Sequence, residues 1–414
     1  MNAKKYTLSE IEAALHNGEF CFYFQPKVSF VTGQIVGAEA LLRWIKPDGQ
    51  VILPNEFLPQ AEKSGLTTSI TAVMLPELIE NIEAIRKVKV DAQIAFNISV
   101  LDLDSPYLVK MLRSFIGSRR ISPGNILIEI TETAFVKNTE HIKAELLHLV
   151  ELGIEIAMDD FGTGYSSLDL LSQLPISTIK IDQGVVRRMT EDVKNTHIVR
   201  SSLYMARELS IKTVAEGVES KGTYIYLMSS GCNEVQGFWI SKPLPLNDYI
   251  SLCRSQPQWP SSSFGLLYNA WINHISYRHK VLDAALTLFM TGPEEWRSLP
   301  KMDLVHSPAR CRLGQWYIGE VGGDTDNRSV KRLEEPHRLM HAAGASLIKA
   351  IRTQAGTRDI NRATRIFLEY SDVVDAEVSR IVERDLERTL DETANSGTGE
   401  IPSVENLIKA YDME

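Results

Sequence analysis

The chain lacks any apolar run approaching the roughly 18–20 residues of a membrane-spanning helix. Its first ten residues, Met1 to Glu10, are polar and carry no apolar core of a secretory signal. Cysteine is scarce: Cys21, Cys232, Cys253 and Cys311 are scattered through 414 residues at no paired spacing. That excludes a disulfide framework and leaves any special cysteine as a ligand or a reactive thiol. Positive charge is also short. Lys and Arg number 44 against 53 Asp and Glu, a formal net charge of -9. A general nucleic-acid binder would show a basic surface, so no DNA partner is expected. Internal repeats and low-complexity tracts are missing. Together these absences imply a cytoplasmic protein, and a hydrophobic content of 44% with 23% charged residues is that of a globular chain.

What is present is alternation. A chain of 414 residues is expected to form two or three domains. Short apolar segments at Phe20–Phe24, Gln34–Leu42, Gln93–Ile98, Ile126–Ile130, Ile154–Met158, Thr178–Ile181, Lys212–Ala215 and Glu234–Phe238 read as strands. Amphipathic stretches such as Thr139–Leu152 and Thr196–Leu209 lie between them. The pattern predicts an α/β fold, a TIM-like (β/α)8 barrel. Val31-Thr32-Gly33-Gln34 reads as a hairpin turn, so one barrel strand is expected to run antiparallel. The barrel is assigned to residues 1–252, with a Ser/Pro/Gln-rich linker at 253–263. Residues 264–392 then read as an all-α four-helix bundle, with long helices at Leu266–Phe289, Val330–Gln354 and Ile360–Leu390 and a shorter one around Ala309–Ile318. Residues 393–414 form a tail.

The barrel segment places polar residues where a strand should be apolar. Glu39, Asn97, Glu129, Lys180 and Gln236 interrupt candidate strands, and Asp159, Asp160 and Glu216 end them. Lys180 and Asp182 flank Ile181, so strand periodicity sends both to one face. One buried acid is more often a salt bridge or a cap. Many at equivalent strand ends converge on the barrel mouth, where active sites sit. With Lys180 and Arg43 as the obvious cationic partners, so many carboxylates call for divalent ions. Hard oxygen ligands suit Mg2+ or Mn2+. Two such ions would clamp a phosphodiester, with Asp159 as the natural bridge, Lys180 orienting or deprotonating the attacking water, and Arg43 holding a non-bridging oxygen.

These residues resemble the EAL domain family of bacterial cyclic-di-GMP phosphodiesterases. The resemblance runs through Glu39-Ala40-Leu41 with Leu42-Arg43-Trp44, Phe96-Asn97-Ile98-Ser99, Glu129-Ile130-Thr131-Glu132, Asp159-Asp160-Phe161-Gly162-Thr163-Gly164, Lys180-Ile181-Asp182, Ala215-Glu216-Gly217-Val218-Glu219 and Gln236-Gly237. It implies a first metal held by Glu39, Asn97, Glu129 and Asp159, and a second near Asp159, Asp160 and Glu216. Lys180 would position the hydrolytic water, with Gln236 beside it. Gln25, Arg43 and Asp182 would contact the substrate, while Glu132 and Glu219 would support the loop after Asp160. The implied product is linear 5′-pGpG. Val185 stands where many members have Phe, and Leu58 where Ile is common; both read as packing changes. Some relatives bind cyclic-di-GMP without cutting it, or serve as signalling scaffolds. Those usually lack several acids, and this chain retains them, so hydrolysis is the expectation and a non-hydrolysing receptor or a zinc-sensing signalling scaffold the alternative.

His337 and His341 lie four apart on a helical pattern and share one face. Such a pair is usually a solvated or packed position. Here Cys311-Arg312-Leu313-Gly314-Gln315-Trp316-Tyr317 lies upstream. Together they resemble the chemoreceptor zinc-binding (CZB) domain, which implies a Zn2+ site of His274, Cys311, His337 and His341. Four N and S ligands fill a tetrahedral shell, so a sensing role for zinc or oxidants is expected over catalysis. The family often has Trp three residues after the first His; here that residue is Tyr277. Both resemblances imply a homodimer.

Overall fold

The computed structural model describes residues 6–131, 139–162, 171, 173–209, 211–262, 264–296, 299, 308, 311–315 and 328–395. The chain divides into two compact units, Met1–Ser261 and Ser262–Glu414. No described helix is long and apolar enough to cross a membrane.

The described residues of the first unit form ten strands: β1 (Phe20–Ser29), β2 (Ile35–Ile45), β3 (Val51–Ile52), β4 (Gln93–Asn97), β5 (Ile126–Thr131), β6 (Glu155–Phe161), β7 (Thr178–Ile181), β8 (Lys212–Ala215), β9 (Glu234–Val235) and β10 (Leu244–Pro245). Pairing runs β1-β2-β4-β5-β6-β7-β8-β9 and returns to β1, which closes an eight-stranded barrel. β1 is antiparallel to both its barrel neighbours, β2 and β9, and the other barrel pairs are parallel. β3 and β10 are two-residue additions at the edges of β2 and β1. The expected barrel with one reversed strand is what the chain forms.

Several strands run further than their sequence signals. β1 continues through Pro26, which cannot donate to a ladder. Pro26 is opposite Ala38 of β2, while pairing to β10 ends at Phe24 and pairing to β9 starts at Val28. The missing donor thus falls in a gap between two partners. β6 runs past the adjacent acids to Phe161 by way of a bulge. There Asp160 takes a φ of 57°, a left-handed backbone that Asp tolerates better than most residues. β9 is shorter than expected. A Cβ on Gly237 would lie 2.2 Å from the Val218 carbonyl oxygen, so the chain can turn tightly beside Val218 only with glycine there.

Strand alternation divides the barrel's apolar residues in two. Ile94, Phe96, Ile126, Ile128, Ile130, Ile156 and Met158 belong to the large core shared with the surrounding helices. Ala95, Leu127 and Ala157 form a separate small cluster. Each of these three lies two residues before Asn97, Glu129 or Asp159 on its strand, hence on the same face. A thin apolar layer therefore underlies the polar residues.

The expected linker is fastened down over its described length. The helix Leu246–Ser255 ends at Gln256. Beyond it Gln258 donates to the Thr32 carbonyl at 2.6 Å, and the Trp259 amide to Gly33 at 3.0 Å. The Tyr224 hydroxyl donates to the Pro260 carbonyl at 2.6 Å. Gln258 and Trp259 thus clip onto the turn between β1 and β2, and Pro260 onto the helix Lys221–Ser229.

The second unit is helical. Its described helices are Phe264–Thr291, Arg312–Gln315, Arg328–Arg352 and Thr357–Asn395. Val281, Leu288, Leu347, Ile351, Phe367, Val374 and Val378 share one core. The Trp271 indole donates to Asp375 at 3.1 Å, and Arg278 pairs with Asp372 at 2.7 Å, which registers the first long helix against the last. The tail beyond residue 395 lies outside the described residues.

Candidate functional site

One ammonium organises the barrel mouth. Lys180 on β7 is 1% exposed and reaches four carboxylates: Glu129 at 2.7 Å, Glu216 at 2.7 Å, Glu39 at 3.2 Å and Asp159 at 3.2 Å. Those acids come from β2, β5, β6 and the segment after β8. The Glu39 oxygens are further held by Gln236 at 2.6 Å and Asn97 at 2.8 Å. Gln236 also donates to Gln25 at 3.0 Å, and Gln25 donates to the Ser241 carbonyl. Gln25 pairs with Glu39 in the β1–β2 register, because the reversed β1 enters the barrel at its mouth.

The electrostatics follow from Lys180 serving several acids in a buried site. Burial raises the Glu39 pKa, but the charge of Lys180 and hydrogen bonds from Gln236, Asn97 and Lys180 outweigh it and leave the carboxyl below its usual range. Glu129 is pushed well up, first by burial and then by the Glu39 charge. Burial takes Glu216 to about 8 despite Lys180. Burial alone would lower Lys180; Glu129, Glu216, Glu39 and Asp159 instead hold it well above the usual lysine value.

The donor set fits hard divalent ions. Glu39, Glu129 and Asp159 each offer an oxygen within 4.8 Å of the others. Glu129 Oε1 and Gln236 Oε1 are buried without a hydrogen-bond partner, so the site holds more acceptor capacity than its protein donors use. Asp160 is exposed, and its amide donates to Asp159 at 2.9 Å. Partial desolvation of its carboxyl and then the Asp159 charge raise its pKa.

The remaining expected residues sit around this centre. Arg43 is 7% exposed, donates to the Leu42 carbonyl, and lies 5.6 Å over the Tyr23 ring. Asp182 caps the helix Gln183–Arg188 by accepting from the Gly184 and Val185 amides. Glu219 is exposed on the segment after Glu216. Glu132 and the loop from Thr163 to Leu168 lie outside the described residues.

Sequence reasoning missed Lys27. It is 1% exposed and pairs with Glu234 at 3.9 Å. Its field also lowers Glu129. Lys27 lies two residues from Gln25 on β1, so strand parity was the available signal, hidden by the intervening Pro26.

The second unit holds a separate cluster. His274, Cys311, His337 and His341 are all buried, and their candidate ligand atoms lie within 4.8 Å of one another. Tetrahedral zinc with bonds of about 2.0–2.3 Å needs ligand atoms roughly 3.3–3.8 Å apart, so modest contraction suffices. His337 Nε2 and His341 Nε2 already stand 3.1 Å apart, and both ring nitrogens of His274 lack a hydrogen-bond partner. Burial, with the His341 charge, lowers His274 to about 3. Burial, with His274 and His341, lowers His337 to about 2. Neutral imidazoles are what a metal requires.

A pH effect follows for metal-free protein. The unfolded chain protonates these histidines near 6.5, while the native state resists until about 3 and about 2. Their contribution to stability is therefore full above pH 6.5 and lost as pH falls through that interval. Calorimetry after chelation should show melting temperature dropping as pH is lowered below 6.5, with a shallower slope in His337→Leu. Equal slopes in the two proteins would refute this assignment.

Comparison with known proteins bears on both units. The EAL domain profile matches residues 8–243, and the chemoreceptor zinc-binding domain profile matches residues 274–348. The chain is 35% identical over 245 residues to the bifunctional diguanylate cyclase/cyclic di-GMP phosphodiesterase MucR of Pseudomonas aeruginosa, covering 59% of this chain and 36% of that protein. It is 37% identical over 257 residues to the probable cyclic di-GMP phosphodiesterase PdeG of Escherichia coli, covering 62% of this chain and 51% of that protein. The chain thus spans between about a third and a half of these two relatives. Among solved structures, a MucR phosphodiesterase in complex with c-di-GMP aligns with a TM-score of 0.56 at 35% identity, over 58% of this chain and 98% of that one.

Proposed function

The chain belongs to the EAL domain family, and from that premise we propose that it hydrolyses cyclic-di-GMP to linear 5′-pGpG with two Mg2+ or Mn2+ ions. The observation that carries this reading is the convergence of Glu39, Glu129, Asp159 and Glu216 on the single ammonium of Lys180. A structural ion pair needs one acid, and the excess calls for further cations.

Glu39, Asn97, Glu129 and Asp159 would hold the first ion, and Asp159, Asp160 and Glu216 the second. When bound, the ions supply the positive charge that polarises the phosphodiester, acidifies water and steadies the leaving oxygen. In the metal-free site its acids hold Lys180 protonated, and beside the two ions, whose charge lowers its pKa, it would orient or deprotonate the attacking water. Gln236 fixes Glu39 and, through Gln25, the adjoining substrate face. Arg43 is braced by Tyr23 and the Leu42 carbonyl and would hold a non-bridging phosphate oxygen. Gln25 and Asp182 would contact the nucleotide, and Glu132 and Glu219 would support the loop after Asp160.

The same reading gives the second unit one Zn2+ on His274, Cys311, His337 and His341. With four protein ligands the ion keeps no open position, so zinc or an oxidant acting on it would adjust the barrel's activity rather than catalyse. A homodimer and a cytoplasmic location complete the reading, and residues 1–252, 253–263, 264–392 and 393–414 are its barrel, linker, bundle and tail.

Purified full-length protein incubated with cyclic-di-GMP and Mg2+ should release linear 5′-pGpG, resolved by chromatography. Tight nucleotide binding without turnover would replace the hydrolase reading with that of a receptor.

A further inference from the structure

Beside the histidine–cysteine cluster lie two buried hydroxyls without a hydrogen-bond partner among the described residues. In the second unit, the described buried side-chain atoms without a hydrogen-bond partner are His274 Nδ1, His274 Nε2, the Tyr277 hydroxyl and the Ser371 hydroxyl. Their residues are 0%, 5% and 0% exposed. Buried polar groups are rarely left unpaired, and three unpaired residues in one neighbourhood point to a shared cause.

Their placement is common. The Tyr277 ring lies 4.4 Å from the His341 ring and 6.4 Å from that of His274. Its hydroxyl sits 3.2 Å from where a Cβ on Gly344 would stand, so that glycine leaves room for the phenol against the His337–His341 helix. Ser371 follows Phe367 by one turn on the last helix, and Phe367 packs on Tyr277 and Gly344. The ties from Trp271 to Asp375 and from Arg278 to Asp372 bracket His274 and set that helix face opposite Ser371.

A histidine that ligates a metal through one nitrogen keeps an N–H on the other, and that N–H ordinarily finds an oxygen acceptor. No such acceptor pairs with His274 in the metal-free protein. A metal-bound thiolate is likewise an acceptor that a nearby O–H steadies.

We propose that Tyr277 and Ser371 are positioning residues of the zinc site, with Ser371 accepting from the free N–H of His274 and Tyr277 donating to the Cys311 sulfur, each directly or across one buried water. The inference rests on the zinc reading above and goes beyond it, since neither hydroxyl is a ligand. The phenol suits the role: its ring lies 4.4 Å from that of His341, and its hydroxyl has a proton to donate. Phenylalanine in its place would fill the same space and lose only the donor.

The test is zinc affinity in the full chain, measured by competition with a chromophoric chelator in wild type, Tyr277→Phe and Ser371→Ala. Each variant should bind zinc about 10-fold or more weakly, within the usual effect of removing a partner of a ligand. The zinc-loaded Tyr277→Phe protein should also react faster with a thiol alkylator at Cys311, because its thiolate has lost a hydrogen bond. Circular dichroism confirms that helices persist; if Tyr277→Phe fails to fold, Ser371→Ala decides. Wild-type affinity in both variants overturns the proposal and leaves the zinc site standing. Absence of zinc binding by wild type overturns the site, and the proposal with it.

Discussion

Lys180→Met should lower turnover of cyclic-di-GMP by about 100- to 10,000-fold, the range expected when a group that orients or deprotonates the attacking water is lost. The same change should destabilise metal-free protein by about 3–5 kcal/mol, because breaking a buried ion pair from one side strands its partners. Here the partners are four: Glu39, Glu129, Asp159 and Glu216 all lie within 3.2 Å of the lost ammonium. Methionine fills the space and contributes no charge. The acids can answer only by taking up protons, which Glu216, already at about 8, and Glu129, pushed well up, are disposed to do. An acid whose pKa is raised by folding stabilises below its unfolded pKa and loses that contribution as pH rises through the folded value. The variant's deficit should therefore be larger near pH 8.5 than near pH 6. Melting curves in chelator and in Mn2+ separate the two roles of the lysine. Divalent ions should restore most of the variant's melting temperature and none of its turnover. Unchanged melting in chelator would mean that the four contacts carry no net weight.

Cys311→Ser should reduce bound zinc from about one ion per chain to under about a tenth of that, read by elemental analysis. Zinc sites of this ligand class contribute apparent free energies of about 10–16 kcal/mol in small domains that cannot fold without the metal. This bundle has a core of its own, including Val281, Leu347, Phe367 and Val374, so loss of zinc should loosen it rather than unfold it. Limited proteolysis should then cut within Phe264–Thr291 and Arg328–Arg352 in the variant, or in chelated wild type, while zinc-loaded wild type is spared. Equal zinc in both proteins would remove Cys311 from the site.

The barrel was legible because its signals are local and repeated. An acid or amide set into Ile-rich strands marks both the strand and its inward face, as Glu129 does between Ile128 and Ile130. What escaped depended on partners distant in sequence. Val51–Ile52 and Leu244–Pro245 are too short for periodicity and exist only because β2 and β1 offer them an edge. Pro26 reads as a strand breaker until its position between two pairing partners is known. Lys27 was hidden behind that proline. In the second unit the His337–His341 spacing was visible, while the unsatisfied hydroxyls of Tyr277 and Ser371 were not. Neither spacing nor composition distinguishes a buried hydroxyl with a partner from one without.

The reversed first strand has a kinetic consequence. Gln25 meets Gln236 across 211 positions, and Gln236 meets Glu39 across 197. Contacts of such separation form late, since the entropy of the long loop must be lost before they stabilise anything. The carboxylate of Glu39 therefore gains its Gln236 donor only after β9 has closed on β1. A nascent chain that has emerged only as far as β8 carries Glu39, Glu129, Asp159 and Lys180 but not the Gln236 donor. Glu39 receives its full set of donors, from Asn97, Lys180 and Gln236, only with ring closure.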